Sequence, residues 1–218
     1  MTDEAAPLVV HFYKTATILE RNDGLVQQVY PVNIESLHAL LGNIPRSTGI
    51  LPEHVIAMGR HDGRDLIIKY VPPKRRNLIT TESNKPKPIS IVTPPLVWSG
   101  CGTVYRIYAL NSTAWPNENT MLYHSPFPNV YSNGTICWGD TGNALQAANR
   151  TIDTMLDRFF TSVFASHLNN SRSRSNPGSV VKFWETITND DAYPLGDLLP
   201  ANIRLIELLE GEGYANTR

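Results

Sequence analysis

One irregular stretch, residues 123–140, divides the sequence, and its middle reads FPNVYSNGTICW from residue 127 to residue 138. Pro128 restricts the residue before it to extended backbone, and Asn133-Gly134 is typical of a tight turn. This composition forms neither a continuous helix nor a central strand. We therefore predict a loop that is anchored by its aromatic side chains, Phe127, Tyr131 and Trp138. The loop presents Cys137, which makes it a candidate site for thiol chemistry.

The residues before this loop predict strands and turns. Strand-like patterns cover residues 8–13, 24–30, 54–59, 65–70, 89–92 and 103–110. The turns Arg21–Gly24 and Asp62-Gly63 predict a hairpin each, because such pairs favour tight reversals between strands. A short helix is predicted over Ile34–Leu41, and Pro94-Pro95 breaks any strand ladder. The economical arrangement is an antiparallel meander.

The residues after the loop change to a helical period. From Thr151 to Leu168, apolar residues recur three and four positions apart, which is typical of an amphipathic helix. We expect three of its aromatic side chains to be buried against the strands: Phe159, Phe160 and Phe164. Residues 169–178 predict a loop, and a last helix is predicted over Pro200–Glu210. Strands followed by helices predict an α+β domain.

Composition and charge exclude several classes of protein. The 218 residues are 41% hydrophobic and 18% charged, which excludes a wholly disordered chain, a collagen and a coiled coil. The net charge of −1 lacks the basic footprint of a dedicated nucleic-acid binder. The basic cluster Lys74–Arg76 is expected to be a solvated loop or strand end.

The sequence indicates a cytoplasmic protein with reduced thiols. Its acidic N-terminus, Met1–Glu4, does not resemble a signal peptide. No apolar run approaches the roughly 18 residues that a membrane-spanning helix needs. Cys101 and Cys137 do not make a disulfide framework.

Most signatures of cofactor or metal chemistry are missing from the sequence. It contains no phosphate-binding loop, no complete dinucleotide fingerprint and no G-x-S-x-G elbow. The six histidines show no metal-ligand spacing. We therefore expect neither a metal nor a nucleotide cofactor.

Residues 127–138 resemble the active-site motif of ubiquitin-conjugating (E2) enzymes, His-Pro-Asn-Ile-x-x-x-Gly-x-Ile-Cys-Leu. The shared residues are Pro128, Asn129, Gly134, Ile136 and Cys137. The chain as a whole looks most like prokaryotic E2 family D, the family of PRTRC system protein B. Phe127 departs from the motif histidine and Trp138 from the leucine, and the Trp-x-Pro pattern common after the cysteine is missing.

This resemblance implies an α+β fold of the E2 (UBC) type, an antiparallel β-meander followed by an active-site loop and C-terminal helices. It implies one domain over residues 1–218, with residues 1–50 as an N-terminal elaboration. Cys137 would be the thioester nucleophile. Asn129 would donate to the oxyanion or support the loop, and Asp140 is a candidate for activating the incoming amine. Cys101 lies in strand-like sequence, where a cysteine is usually a small buried residue.

The resemblance also implies partners and leaves alternatives open. The expected activity is that of a transferase that takes a ubiquitin-like protein from a ThiF/E1-like enzyme and passes it to an amine. The expected neighbours are that adenylating enzyme, the ubiquitin-like protein and a JAB-type peptidase of a plasmid cassette. One alternative is a non-catalytic E2-like module that binds a ubiquitin-like protein. Another is a nucleic-acid-associated partition factor, against which the near-neutral charge argues.

Overall fold

The computed structural model describes residues 8–12, 17–22, 27–33, 50–81, 85–139, 143–165, 168 and 170–210. The chain divides into two compact units, residues 1–49 and residues 50–218. The assignment of residues 1–50 as an elaboration of a single domain stays a prediction.

The first unit contains a three-stranded antiparallel sheet. It consists of β1 (Leu8–Phe12), β2 (Thr17–Asn22) and β3 (Gln27–Val32), with β2 in the middle. The predicted hairpin between residues 8–13 and 24–30 is therefore wrong. Arg21 and Asn22 belong to β2, whose β-branched and aliphatic start suits a middle strand. The predicted helix Ile34–Leu41 lies outside the described residues.

The second unit is built on a six-stranded antiparallel sheet with the order β12-β10-β9-β8-β5-β4. Its strands are β4 (Val55–His61), β5 (Arg64–Val71), β8 (Leu96–Cys101), β9 (Val104–Ala109), β10 (Met121–His124) and β12 (Pro200–Arg204). The predicted turn between β4 and β5 is confirmed, since Asp62 and Gly63 have φ of 50° and 74°. Two positive φ values match the right-handed twist of a hairpin.

A second, smaller sheet has the order β11-β6-β7. Its strands are β6 (Arg75–Thr80), β7 (Lys87–Val92) and the two-residue β11 (Val163–Phe164). β6 and β7 are antiparallel, whereas β11 runs parallel to β6. The predicted strands at residues 89–92 and 103–110 are confirmed as β7 and β9.

Two of the predicted helices are shorter than expected. The α-helices among the described residues of this unit are α1 (Ile152–Thr161), α2 (Val180–Thr186) and α3 (Leu205–Leu209). The helix predicted over Thr151–Leu168 ends at Thr161, because Ser162 is extended and the chain then pairs with β6. The helix predicted over Pro200–Glu210 is also wrong in its first half, because β12 pairs with the edge of β10. No helix in the described part of the chain is long and apolar enough to cross a bilayer.

α1 and α2 pack on one face of the main sheet and form an aromatic core with it, whereas Leu205 and Leu208 of α3 belong to a second apolar cluster with Leu66 and Ile68 of β5. Phe159, Phe160 and Phe164 are at most 5% exposed, which confirms their predicted burial. The Trp98 indole nitrogen donates to the Ile152 carbonyl at 3.2 Å and ties α1 to β8. The mixed architecture, an antiparallel sheet with few helices, agrees with the predicted α+β class at that level.

Candidate active site

Cys137 lies in the irregular segment between β10 and α1, as the loop prediction requires. The chain reaches it along a short return arm that lies beside the first half of β9. The Ile136 amide donates to the Tyr105 carbonyl at 3.0 Å, and the Ile107 amide donates to the Gly134 carbonyl at 2.9 Å. This stretch of β9 is available because β10 pairs only with the end of β9. Sheet hydrogen bonds therefore hold the arm up to the residue before the thiol.

The turn that starts this arm is held by one tyrosine ring. The Tyr108 hydroxyl donates to the Asn133 carbonyl at 2.6 Å. Gly134 has φ of 78°, and a Cβ on it would lie 2.5 Å from Cζ of Tyr108. Only glycine combines this left-handed backbone with so close an approach. The motif glycine thus fixes the tip of the loop against the sheet.

Asn129 lies in the part of the loop before the turn at Gly134, and its side chain joins this part to β11. Its Nδ2 donates to the Val163 carbonyl at 2.7 Å, and its Oδ1 accepts from the Ala165 amide at 3.2 Å. Its own carbonyl accepts from the Cys137 amide at 2.7 Å. Asn129 is 7% exposed and has φ of 62°. These bonds also give a reason for the early end of α1, because they require an extended chain at residues 163–165.

Tyr131 contacts the thiol directly. Its hydroxyl donates to Sγ of Cys137 at 3.4 Å, and the side chain is 46% exposed. This hydrogen bond raises the pKa of Tyr131 above its ordinary value, and the charge of the neighbouring thiolate acts in the same direction. The hydroxyl therefore stays protonated and available as a donor.

The predicted anchoring role is wrong for Tyr131 and confirmed for Phe127. Phe127 is fully buried, with its ring 5.5 to 5.9 Å from four aromatic rings, those of Phe159, Phe160, Phe164 and Trp184. It fills the place of the motif histidine with apolar contacts. The role of Tyr131 was missed, although one signal was present in the sequence: the Asn133-Gly134 turn folds the residues before it onto those after it.

An open groove of about 870 Å³ lies in front of Cys137. It is lined by Thr103, Tyr131, Ile136, Cys137, Trp138, Gly139, Asn143 and Ala144. Trp138 is half-buried, with its ring edge-on to Tyr105 at 6.0 Å. The Arg158 guanidinium lies 5.5 Å from the Trp138 ring and also donates to the Asn143 carbonyl at 3.1 Å. Arg158 of α1 thus supports two residues of the groove lining, Trp138 and Asn143.

The other sequence candidates lie elsewhere. Cys101 ends β8 with no exposed surface, and burial raises the pKa of its thiol. Neither Cys101 nor Cys137 forms a disulfide bond. Asp140 lies outside the described residues. Within the described ranges, no three His, Cys, Asp or Glu side chains come together as ligands for a metal.

The chain matches the model of a known protein family. The model of prokaryotic E2 family D matches residues 33–201, a range that includes the whole loop from residue 127 to residue 138. Comparisons with curated proteins and with solved structures found no match.

Proposed function

The chain belongs to prokaryotic E2 family D, and on that premise we propose that Cys137 carries a ubiquitin-like protein as a thioester. The observation that carries this proposal is the setting of the thiol. Cys137 is half-buried at an open groove, and the Tyr131 hydroxyl lies 3.4 Å from its sulfur. A cysteine is nucleophilic enough to act without a paired histidine.

The reaction consists of two acyl transfers. In the first, Sγ of Cys137 loses its proton and attacks the thioester carbonyl of the loaded ThiF/E1-like enzyme. The new carbon–sulfur bond replaces the old one, and the departing thiolate takes up a proton. In the second, an amine attacks the thioester carbonyl of Cys137, an amide bond forms as the carbon–sulfur bond breaks, and the departing Cys137 thiolate takes up the proton that the amine loses. The groove would hold the tail of the modifier during both steps.

Two further residues receive roles in the second transfer. Asn129 supports the loop through β11, and it also donates to the oxyanion that forms when the amine attacks. Its Nδ2 carries two hydrogens, and the bond to Val163 requires one of them. One oxyanion donor contributes about 3 to 4 kcal/mol in acyl transfer. Asp140 activates the incoming amine.

The proposed partners are those that family membership suggests. They are a ThiF/E1-like adenylating enzyme and a ubiquitin-like modifier, with a JAB-type peptidase from the same plasmid cassette as a third component. The conjugating protein itself uses no cofactor. The antiparallel sheet, the loop and the few helices that follow are compatible with an E2 (UBC)-like fold, which we include in the proposal.

A non-reducing gel with the cognate ThiF-like enzyme, ATP and modifier tests this function. Wild type should form an adduct that thiol reagents release, and Cys137→Ala should form none. Cys137→Ser should trap an oxyester, because the hydroxyl accepts the acyl group but its ester reacts slowly with amines. Cys101→Ala is the matched control and should load like wild type. Loading that persists in Cys137→Ala would refute the assignment.

The second candidate function is that of a binding module that holds the modifier without turnover. The observation that favours it is the engagement of the Asn129 amide by the backbone of residues 163–165. Co-elution of the wild-type chain with the modifier, without an adduct in the presence of active E1-like enzyme, would establish this alternative.

A further inference from the structure

A buried arginine lies beneath the loop that carries Cys137. Arg172 is 6% exposed, and its guanidinium donates a hydrogen bond to the Val130 carbonyl. Burial lowers the pKa of Arg172 from its ordinary value. Removing a guanidinium from water is costly, so a buried one needs a compensating interaction. The loop backbone supplies that interaction.

The segment around Arg172 is built to hold it in place. The Ser171 amide donates to the Pro177 carbonyl at 2.7 Å and closes the turn on one side. Asp197 holds the other side, because its Oδ1 accepts from the Ser175 amide at 2.7 Å. Arg174 points to different partners, the carbonyls of Gly196 and Leu198, each at 3.2 Å. The two arginines therefore belong to the same turn, but among the described residues Arg172 bonds to the active-site loop and Arg174 bonds to residues 196 and 198.

The bond to Val130 reaches the thiol through two short paths. Val130 lies opposite Ile136 in an antiparallel bridge, and Ile136 precedes Cys137. Val130 also lies between Asn129, whose carbonyl accepts from the Cys137 amide, and Tyr131, whose hydroxyl contacts Sγ. A shift of the Val130 peptide would displace both groups. Tyr108 holds the opposite end of the same loop through Asn133.

We infer that Arg172 is a positioning residue, whose bond to Val130 keeps Tyr131 and Asn129 in place beside Cys137. The inference deepens the proposed function and rests on it for its effect on transfer. The planar guanidinium matters here, because a lysine keeps the charge but offers an ammonium group of different shape.

Single-turnover transfer from purified, loaded protein to an added amine tests this role. Arg172→Met should transfer about tenfold more slowly than wild type, because small displacements at a reacting centre have large effects on rate. Arg172→Lys should fall in between. Arg174→Met is the matched control, and it should lower the thermal midpoint while transfer stays within about twofold. Transfer at the wild-type rate in Arg172→Met, or an equal loss in Arg174→Met, would overturn the inference.

Alkylation of Cys137 by iodoacetamide separates a failure of this inference from a failure of the proposed function, because it needs no modifier. Tyr131→Phe should slow alkylation, since it removes the hydroxyl that donates to Sγ of Cys137 and orients it. Arg172→Met should slow it to a similar extent, and the double variant should be no slower than Tyr131→Phe alone. Additive effects would overturn the positioning role. The expected pattern in a protein that never loads would support the positioning role and refute the thioester. If Arg172→Met does not fold, transfer and alkylation are both measured with Arg172→Lys instead.

Discussion

Cys101 and Cys137 lie on either side of the start of β9 but in different kinds of structure. Cys101 ends the regular strand β8 and pairs with Val104 of β9. Cys137 follows an arm that bonds to Tyr105 on the other edge of β9. The first thiol has no exposed surface, whereas the second is half-buried at an open groove.

The comparison shows what separates a structural thiol from a candidate nucleophile. In β8 the backbone hydrogen bonds are made by neighbouring strands, and the Cys101 side chain packs as a small apolar residue. At Cys137 the ladder has ended, and local bonds from Asn129 and Tyr131 take its place. Interruption of the sheet leaves the sulfur accessible and gives it a polar neighbour.

The largest expected difference is in thiol reactivity. Iodoacetamide should label Cys137 in the native protein about a thousandfold or more faster than Cys101, because a fully buried group reacts only after local unfolding. Mass spectrometry of the labelled peptides over time measures both rates. Labelling in strong denaturant is the control, where the two rates should be similar. Comparable rates in the native protein would contradict the described environments.

The second-largest expected effect tests the role of Asn129 beside Cys137. Asn129→Ala should retain loading but slow transfer to an amine about a hundredfold, the cost of one lost oxyanion donor. An oxyanion donor acts in the transition state, so the loss appears in the rate of the second step. Single-turnover kinetics from the loaded species measure it. Asn119→Ala, in the exposed β9–β10 loop, is the control. If Asn119→Ala also slowed transfer a hundredfold, Asn129 would not be the oxyanion donor.

The two cysteines should rank in the opposite order for stability, with the less reactive Cys101 contributing more to the free energy of unfolding. Cys101→Ser should lower the free energy of unfolding by about 1 to 3 kcal/mol, because it buries a hydroxyl in an apolar environment. Cys137→Ser should change it by less than about 0.5 kcal/mol, as is usual for partly exposed positions. Denaturant titrations of both variants measure these values. A greater loss at Cys137 would show that its thiol is the packed one.

The smallest effect concerns the hydroxyl of Tyr131, which donates to the sulfur of Cys137. Tyr131→Phe should slow transfer about threefold to fivefold, the value of one partly exposed hydrogen bond. Because the pKa of Tyr131 is raised, its hydroxyl keeps its proton as the pH rises. The ratio of wild-type to variant rates should therefore be constant from about pH 7 to about pH 9, below the ordinary tyrosine pKa of about 10. A ratio that falls across this range would indicate ionisation of Tyr131.

Local sequence patterns were sufficient to predict part of the fold. The turn at Asp62-Gly63 and the apolar face of α1 depend on neighbouring residues alone. β11 and β12 could not be predicted in this way. Residues 163–164 continue a helical pattern, and their extended state depends on β6 and Asn129; residues 200–204 depend on β10.

The residues of the candidate site also fall into two groups, those that the sequence identifies and those that it does not. The motif identifies Cys137 and Asn129 because the residues that carry the family resemblance are close together in the sequence. Arg172 is 42 residues from the carbonyl that it holds, and nothing in the sequence connects the two. The contact of Tyr131 with Cys137 depends on how the turn at Gly134 packs against Tyr108. Such contacts come from tertiary structure.

Mapping of the linkage site in the wild-type protein tests the central claim most directly. The chain is incubated with its cognate ThiF-like enzyme, ATP and modifier, quenched without reductant, and analysed by intact mass and peptide mapping. We predict one modifier per chain, joined to Cys137 and released by hydroxylamine. A linkage at Cys101, or no linkage at all while the adenylating enzyme itself is loaded, would contradict the account.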